Sequence, residues 1–183
     1  MKTCVFITGT NATGKTSVAK ALINAYGGIR SATKWLTVCN DTRYCFAGKY
    51  DPERTFGGVD GFNQTKILES VVREGLKTSE VIICEGMYLH TFGLNLTNAM
   101  FAAERHLLCF LYAPPAVIDQ RLKDRAGKGI QNKAVIAKQN NCYTAAKKWA
   151  SIGVPVMVID TSKQGPEEIA SAIANKIGEL CGL

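Results

Sequence analysis

The sequence predicts an α/β fold: a five-stranded parallel sheet with helices on both faces. Three observations carry this expectation. Short apolar runs bounded by turn residues recur along the chain. Between them lie segments whose apolar residues repeat at helical spacing. No internal repeat, low-complexity tract or linker interrupts the alternation, so residues 1–183 are expected to form one domain. Strands alternating with helices give a parallel sheet with two covered faces, and such strands are apolar throughout.

The elements follow in order. Thr3 to Thr8 (Thr-Cys-Val-Phe-Ile-Thr) is the first strand, and Gly9 to Gly14 a turn. Lys15 to about Tyr26 is a helix with Val18, Leu22 and Ala25 on one face, stopped by Gly27-Gly28. Trp35 to Cys39 is the second strand, followed by a stretch without periodicity from Asn40 to Asp60. Phe62 to Leu76 is an amphipathic helix through Ile67, Leu68, Val71, Val72 and Leu76. Val81 to Cys84 is the third strand, 93–104 a helix, and Leu107 to Tyr112 the fourth strand. Pro114-Pro115 open a helix to about Lys123. Ala134 to Ala150 is a further helix, and Val154 to Ile159 the fifth strand. Pro166 starts the last helix, with Glu167 and Glu168 at its positive end and Ile169, Ile173, Ile177 and Leu180 facing inward.

Composition narrows the class. Hydrophobic residues make up 46% and charged residues 20%, ordinary for a globular protein. No run approaches the roughly 18 apolar residues of a membrane helix. The run after Met1 is too short for a signal-peptide core, so a cytoplasmic protein without a membrane partner is expected. The seven cysteines lack metal-ligand spacing and read as buried reduced thiols. The net charge of +7 is concentrated between Arg121 and Lys148, where eight basic residues face only Asp124. Such a segment points to a polyanionic partner or to a solvated surface.

The chemistry lies in Gly9-Thr-Asn-Ala-Thr-Gly14-Lys15-Thr16, a full Walker A sequence between an apolar strand and a helix. The expected fold is therefore a three-layer P-loop fold. Glycines let the backbone wrap closely around phosphate. N–H groups of residues 11 to 16, contributed by Asn11, Ala12, Thr13, Gly14, Lys15 and Thr16, can converge on phosphate oxygens at a helix N-terminus. Lys15 supplies a point charge near the β- and γ-phosphates of ATP, Thr16 a hydroxyl for Mg²⁺, and Ser17 a contact to the α-phosphate. No Asn-Lys-x-Asp sequence for reading guanine is present.

With this motif and Arg121-Leu-Lys-Asp-Arg125 in place, the chain resembles the small P-loop kinases of the nucleotide and polynucleotide type over its whole length. The resemblance implies that residues 121–131 form a lid, with Arg121 and Arg125 gripping the migrating phosphoryl group. It also places Asp41, after the second strand, where polynucleotide-type kinases hold their base, with Asp60 a second candidate. Arg43 would then hold a phosphate of the acceptor. Glu85 ends the third strand, where a carboxylate can orient metal-bound water or substrate. Thymidylate and deoxynucleoside kinases follow that acid with arginine; Gly86 stands here instead.

Residues 40 to 60 read as an acceptor-binding loop, because so long an irregular stretch is usually functional. Tyr44, Phe46, Tyr50 and Phe56 alternate with Arg43, Lys49 and Arg54, a pattern suited to a stacked base and its backbone or to a lid packed on the core. Gly48-Lys49-Tyr50-Asp51 and Gly57-Gly58-Val59-Asp60 resemble a pattern in phage 5-hydroxymethyluridine DNA kinases. That likeness implies DNA, met single-stranded or with its base flipped out, as the favoured acceptor. The alternatives are a kinase for a free nucleotide or small metabolite, and a nucleotide-binding regulator without catalysis.

Overall fold

The computed structural model describes residues 1–51, 57–62, 65–126 and 132–182, with side chains at all of these except 125, 126, 132 and 133. Thus Arg54, Phe56, residues 127–131 of the proposed lid and the Arg125 side chain lie outside the described residues.

Strand β1 (Thr3–Thr8) is buried along its whole length and leads into α1 (Lys15–Ala25). Three short strands follow: β2 (Ile29–Ala32), β3 (Leu36–Cys39) and β4 (Tyr44–Ala47). After α2 (Lys66–Thr78) come β5 (Val81–Glu85), α3 (Leu94–Met100) and β6 (Arg105–Tyr112). The chain closes with α4 (Pro115–Ala126), α5 (Asn132–Ser151), β7 (Val156–Asp160) and α6 (Pro166–Cys181).

The strands form one seven-stranded sheet in the order β2-β3-β4-β5-β1-β6-β7. Neighbours from β4 to β7 pair in parallel. β2 pairs antiparallel with β3, and β3 antiparallel with β4. The expected all-parallel sheet is therefore corrected to a mixed one. Five strands are parallel, but Leu36–Cys39 is not among them. The missing parallel strand is Tyr44–Ala47, within the stretch read as irregular. All four of its residues are buried between β3 and β5, which explains an apolar run among glycines and lysines.

Alternation of side chains builds two cores. Cys4 and Phe6 face a layer with Leu68, Val72 and Trp149. Val5 and Ile7 face Val18, Leu22, Ile173 and Ile177. One residue of slip would exchange the two sets, so register is strongly fixed. Trp149 is fully buried, edge-on to Phe6 with centroids 6.0 Å apart. Six of the seven cysteines are buried as small hydrophobes; burial pushes the Cys39 and Cys45 thiols up to about 12. Among the described residues no helix is long and apolar enough to cross a membrane.

Candidate functional site

The carboxyl ends of the parallel strands meet along one edge of the sheet, the usual place for ligands in this architecture. Residues 9–14 leave the end of β1 there and wrap back into α1. Gly9 has no room for a side chain, since a Cβ would stand 2.3 Å from the Leu111 carbonyl oxygen. Ala12 takes a left-handed conformation at φ 59°, unusual without glycine. Thr13 Oγ1 donates to the Thr10 carbonyl at 2.8 Å and fixes the loop from within. Gly14, at φ 85°, caps α1 and turns the helix N-terminus toward the cavity. The first N–H groups of a helix have no intrahelical acceptor, so this end attracts an anion.

A cavity of about 400 Å³ lies over the loop, lined by Asn11, Gly14, Lys15, Thr16, Asp60 and Glu85 among others. Lys15 is 7% exposed, and its Nζ donates to the Thr10 carbonyl at 3.0 Å. Thr16 Oγ1 donates to Glu85 Oε1 at 3.2 Å. Glu85 is 1% exposed, and its other oxygen accepts from the Tyr50 hydroxyl at 3.1 Å. Burial raises its carboxyl from 4.5 to about 7; nearby Asp60 adds to the rise, while Lys15, Tyr50 and Thr16 oppose it. A hydroxyl beside a carboxylate is the oxygen-rich pairing Mg²⁺ prefers, with phosphates and water completing its shell. The residues present therefore fit that ion.

Two further cavities adjoin the loop. One, of about 400 Å³, is lined by Gly14, Ser17, Arg121, Thr161 and Gln164 among others. Arg121 crosses its wall, donating to the Ala12 carbonyl at 3.2 Å and to Thr161 Oγ1 and O at 3.0 and 2.6 Å. This arginine thus ties α4 to the loop and to the turn after β7, instead of reaching across the cradle as the lid reading expected. The other cavity, of about 700 Å³, spans Thr16, Lys34, Trp35, Lys49, Asp60 and Phe62 among others. Thr16 and Asp60 line both this cavity and the one over the loop. Asp60 Oδ1 accepts the Met87 and Tyr88 N–H groups at 2.7 and 3.4 Å, which fixes its carboxylate at the seam.

Asp41 is not gathered into the site. Its N–H donates to the carbonyl of Tyr26, at the far end of α1, 3.0 Å away. An 11-residue helix separates the two ends by roughly 16 Å. The cause is the antiparallel course of β3, which carries its end to the opposite edge of the sheet. There Asp41 forms an Asx turn with the Arg43 N–H and a 2.7 Å ion pair with its guanidinium, which holds the Asp41 carboxyl below the usual range. The Asp41 base and the Arg43 phosphate contact are therefore corrected to turn-forming roles. Tyr44 stacks on Tyr26 at 3.6 Å between centroids, beside this same turn. Tyr44, Phe46 and Tyr50 are all buried, so these aromatics pack the core and offer no stacking platform for a base. Asp41→Asn is expected to leave phosphoryl transfer unchanged and to cost under about 1 kcal/mol in urea denaturation, as for an exposed pair; a large loss of turnover would restore the catalytic role.

Sequence reasoning missed Trp35, Lys34 and Phe62 as wall residues, and Tyr50 as the anchor of Glu85. The available signal was the glycines. At Gly58, φ 78°, a Cβ would stand 2.2 Å from the Glu85 carbonyl oxygen and 2.5 Å from its Oε2. Chain crossing this close to a carboxylate requires glycine. Gly58→Ala is expected to lower stability by about 2–4 kcal/mol, read as a shift in the denaturation midpoint.

No family model matches the sequence, and no curated protein matches it. Solved structures do share its fold. The YorR protein of Bacillus subtilis, in complex with phosphorylated GDP, is 16% identical at a TM-score of 0.59, over 95% of each chain. Deoxyadenosine kinase from M. mycoides with bound dCTP is 13% identical at 0.54, covering 96% of this chain and 99% of that one. Shikimate kinase from Acinetobacter baumannii, in complex with shikimate, is 16% identical at 0.51, covering 97% and 93%. At these identities the likeness shows a shared fold and by itself carries none of those proteins' activities to this chain.

Proposed function

We propose that this protein is an ATP-dependent kinase that transfers the γ-phosphoryl group to a hydroxyl of a nucleotide-sized acceptor. One observation carries the reading: a complete phosphate cradle stands between two cavities, one on the α1–α4 side and one across the Thr16–Asp60 seam. The first suits the nucleoside of the donor, with Arg121 in its wall beside Thr161. The second suits the acceptor, and its volume lies within the usual range for small-molecule sites.

In the proposed reaction the acceptor oxygen attacks the γ-phosphorus in line, and the bond to the bridging oxygen of ADP breaks. Lys15 and the N–H groups of residues 11–16 hold the triphosphate oxygens. Asp60, positioned at the seam, takes the proton of the attacking hydroxyl. Glu85 holds the Thr16 hydroxyl in place, and Tyr50 holds Glu85. Magnesium, bound beside Thr16 and Glu85, would offset charge on the phosphates. Burial of Lys15 and Glu85 keeps competing water from weakening these interactions.

A second reading, 5-hydroxymethyluracil in DNA as acceptor, draws support from the exposed Lys123, Lys147 and Lys148 on α4 and α5. The burial of Tyr44, Phe46 and Tyr50 speaks for the smaller acceptor. Labelled ATP offered with free nucleotides, hydroxylated metabolites, and unmodified or hydroxymethylated DNA decides between them. Label in a small molecule, with at most a shallow dependence on added salt, is the expected outcome. Label in DNA that falls steeply with salt would favour the second reading. Label in neither would favour a regulator that binds nucleotide without catalysis.

A further inference from the structure

We propose that the acceptor is an anion, and that Lys34 and Lys49 select it by its negative charge; this rests on the kinase reading of the same site. The argument begins with the hairpin between β2 and β3, which turns at Thr33–Trp35 on the side where the parallel strands end. The Gly48 N–H donates to the Trp35 carbonyl at 2.7 Å. That bond joins the hairpin to the segment after β4, and so brings Lys34 and Lys49 into the wall of one cavity. Their backbones belong to two segments tied together, so the pair is a feature of the fold.

Charge is distributed unevenly along this cavity. Thr16 and Asp60, which it shares with the space over the phosphate loop, form its inner end. Neither lysine lines the space over the loop, so both belong to the part distant from the reacting phosphate. Lys34 Nζ lies over the Trp35 ring, 4.4 Å from its centroid. The indole packs edge-on against the nearly buried Phe62, with centroids 5.2 Å apart. A cation–π contact with a braced ring orients the ammonium without neutralising it. An acceptor with its anionic group at the lysines directs its opposite end to Thr16 and Asp60. A reversed acceptor would set its charge against the Asp60 carboxylate. The polarity therefore selects the class of acceptor and fixes which end is phosphorylated.

A phosphate or a carboxylate would satisfy the two ammonium groups equally. The test is equilibrium binding, measured calorimetrically, of nucleoside 5′-monophosphates, hydroxylated ring carboxylates and uncharged nucleosides, with the Lys34→Ala/Lys49→Ala and Lys34→Arg/Lys49→Arg proteins beside the natural one. Mg·ATP is titrated separately into each. At least one anionic class should bind about tenfold or more tightly than the uncharged compounds. The double alanine protein should lose that preference, the double arginine protein should keep it, and Mg·ATP affinity should stay the same in all three. Whichever anionic class binds identifies the group. Equal binding of charged and uncharged compounds would overturn the inference, as would an unchanged preference in the double alanine protein or no anionic binding at millimolar concentration. Loss of Mg·ATP binding by the natural protein would instead overturn the kinase reading, so the two failures are distinct.

Discussion

Lys15→Ala should lower phosphoryl transfer by about 10³-fold or more while the protein remains folded. The size follows from where this charge sits. Lys15 is 7% exposed, at the floor of the loop cavity, and Nζ already points along the loop toward the Thr10 carbonyl. In so shielded a place a positive charge acts on a developing phosphate charge far more strongly than it would in water. A loss of 10³ corresponds to about 4 kcal/mol of transition-state stabilisation. Steady-state transfer from labelled ATP measures it, with circular dichroism as the check on folding. Turnover within about tenfold of the natural protein, in a folded variant, would remove the cradle from the mechanism.

Glu85→Gln should stabilise the nucleotide-free protein at pH 8 while cutting transfer by about 10²-fold or more. Burial holds this carboxyl at about 7 in the folded chain, against an ordinary value of 4.5. Between those values the folded protein binds more protons than the unfolded one, so stability falls as pH rises through the window. Below about 4.5 the group is neutral in both states and no difference is expected. Above about 7 the folded protein carries the full cost of a buried charge, on the order of 3 kcal/mol from the size of the shift. Glutamine keeps the shape and can still accept from Tyr50 or Thr16, so it removes the charge with little change in packing. Denaturation midpoints at pH 4.5, 6 and 8 should show the variant level with the natural protein at the lowest pH and well above it at the highest. Equal midpoints at pH 8 would mean that Glu85 carries no buried charge. Such an opposition between stability and activity is expected where a fold holds a charge out of water for use.

Much of the fold was legible because its signals are local. The runs Thr3–Thr8, Val81–Glu85 and Leu107–Tyr112 are apolar because both their faces are covered, and the sequence records that directly. The loop from Gly9 to Thr16 is set by residue type and spacing alone. Tyr44–Ala47 was not legible, because four buried residues between Arg43 and Gly48 give no periodicity to read. That omission displaced the function of Asp41: with β3 taken as parallel, its end falls at the ligand edge, whereas its antiparallel course puts it at the other.

The amino-acid order by itself therefore determined the phosphate loop, the alternation of strands and helices, and the reduced, buried thiols, since each depends on near neighbours in the chain. Only the tertiary structure decided which carboxylates line the cavity over the phosphate loop. Thr16 and Glu85 are 69 residues apart and Tyr50 and Glu85 are 35 apart, yet each pair shares a hydrogen bond. Strand order and direction create those meetings, and both are set by packing across the whole sheet, which no local pattern encodes.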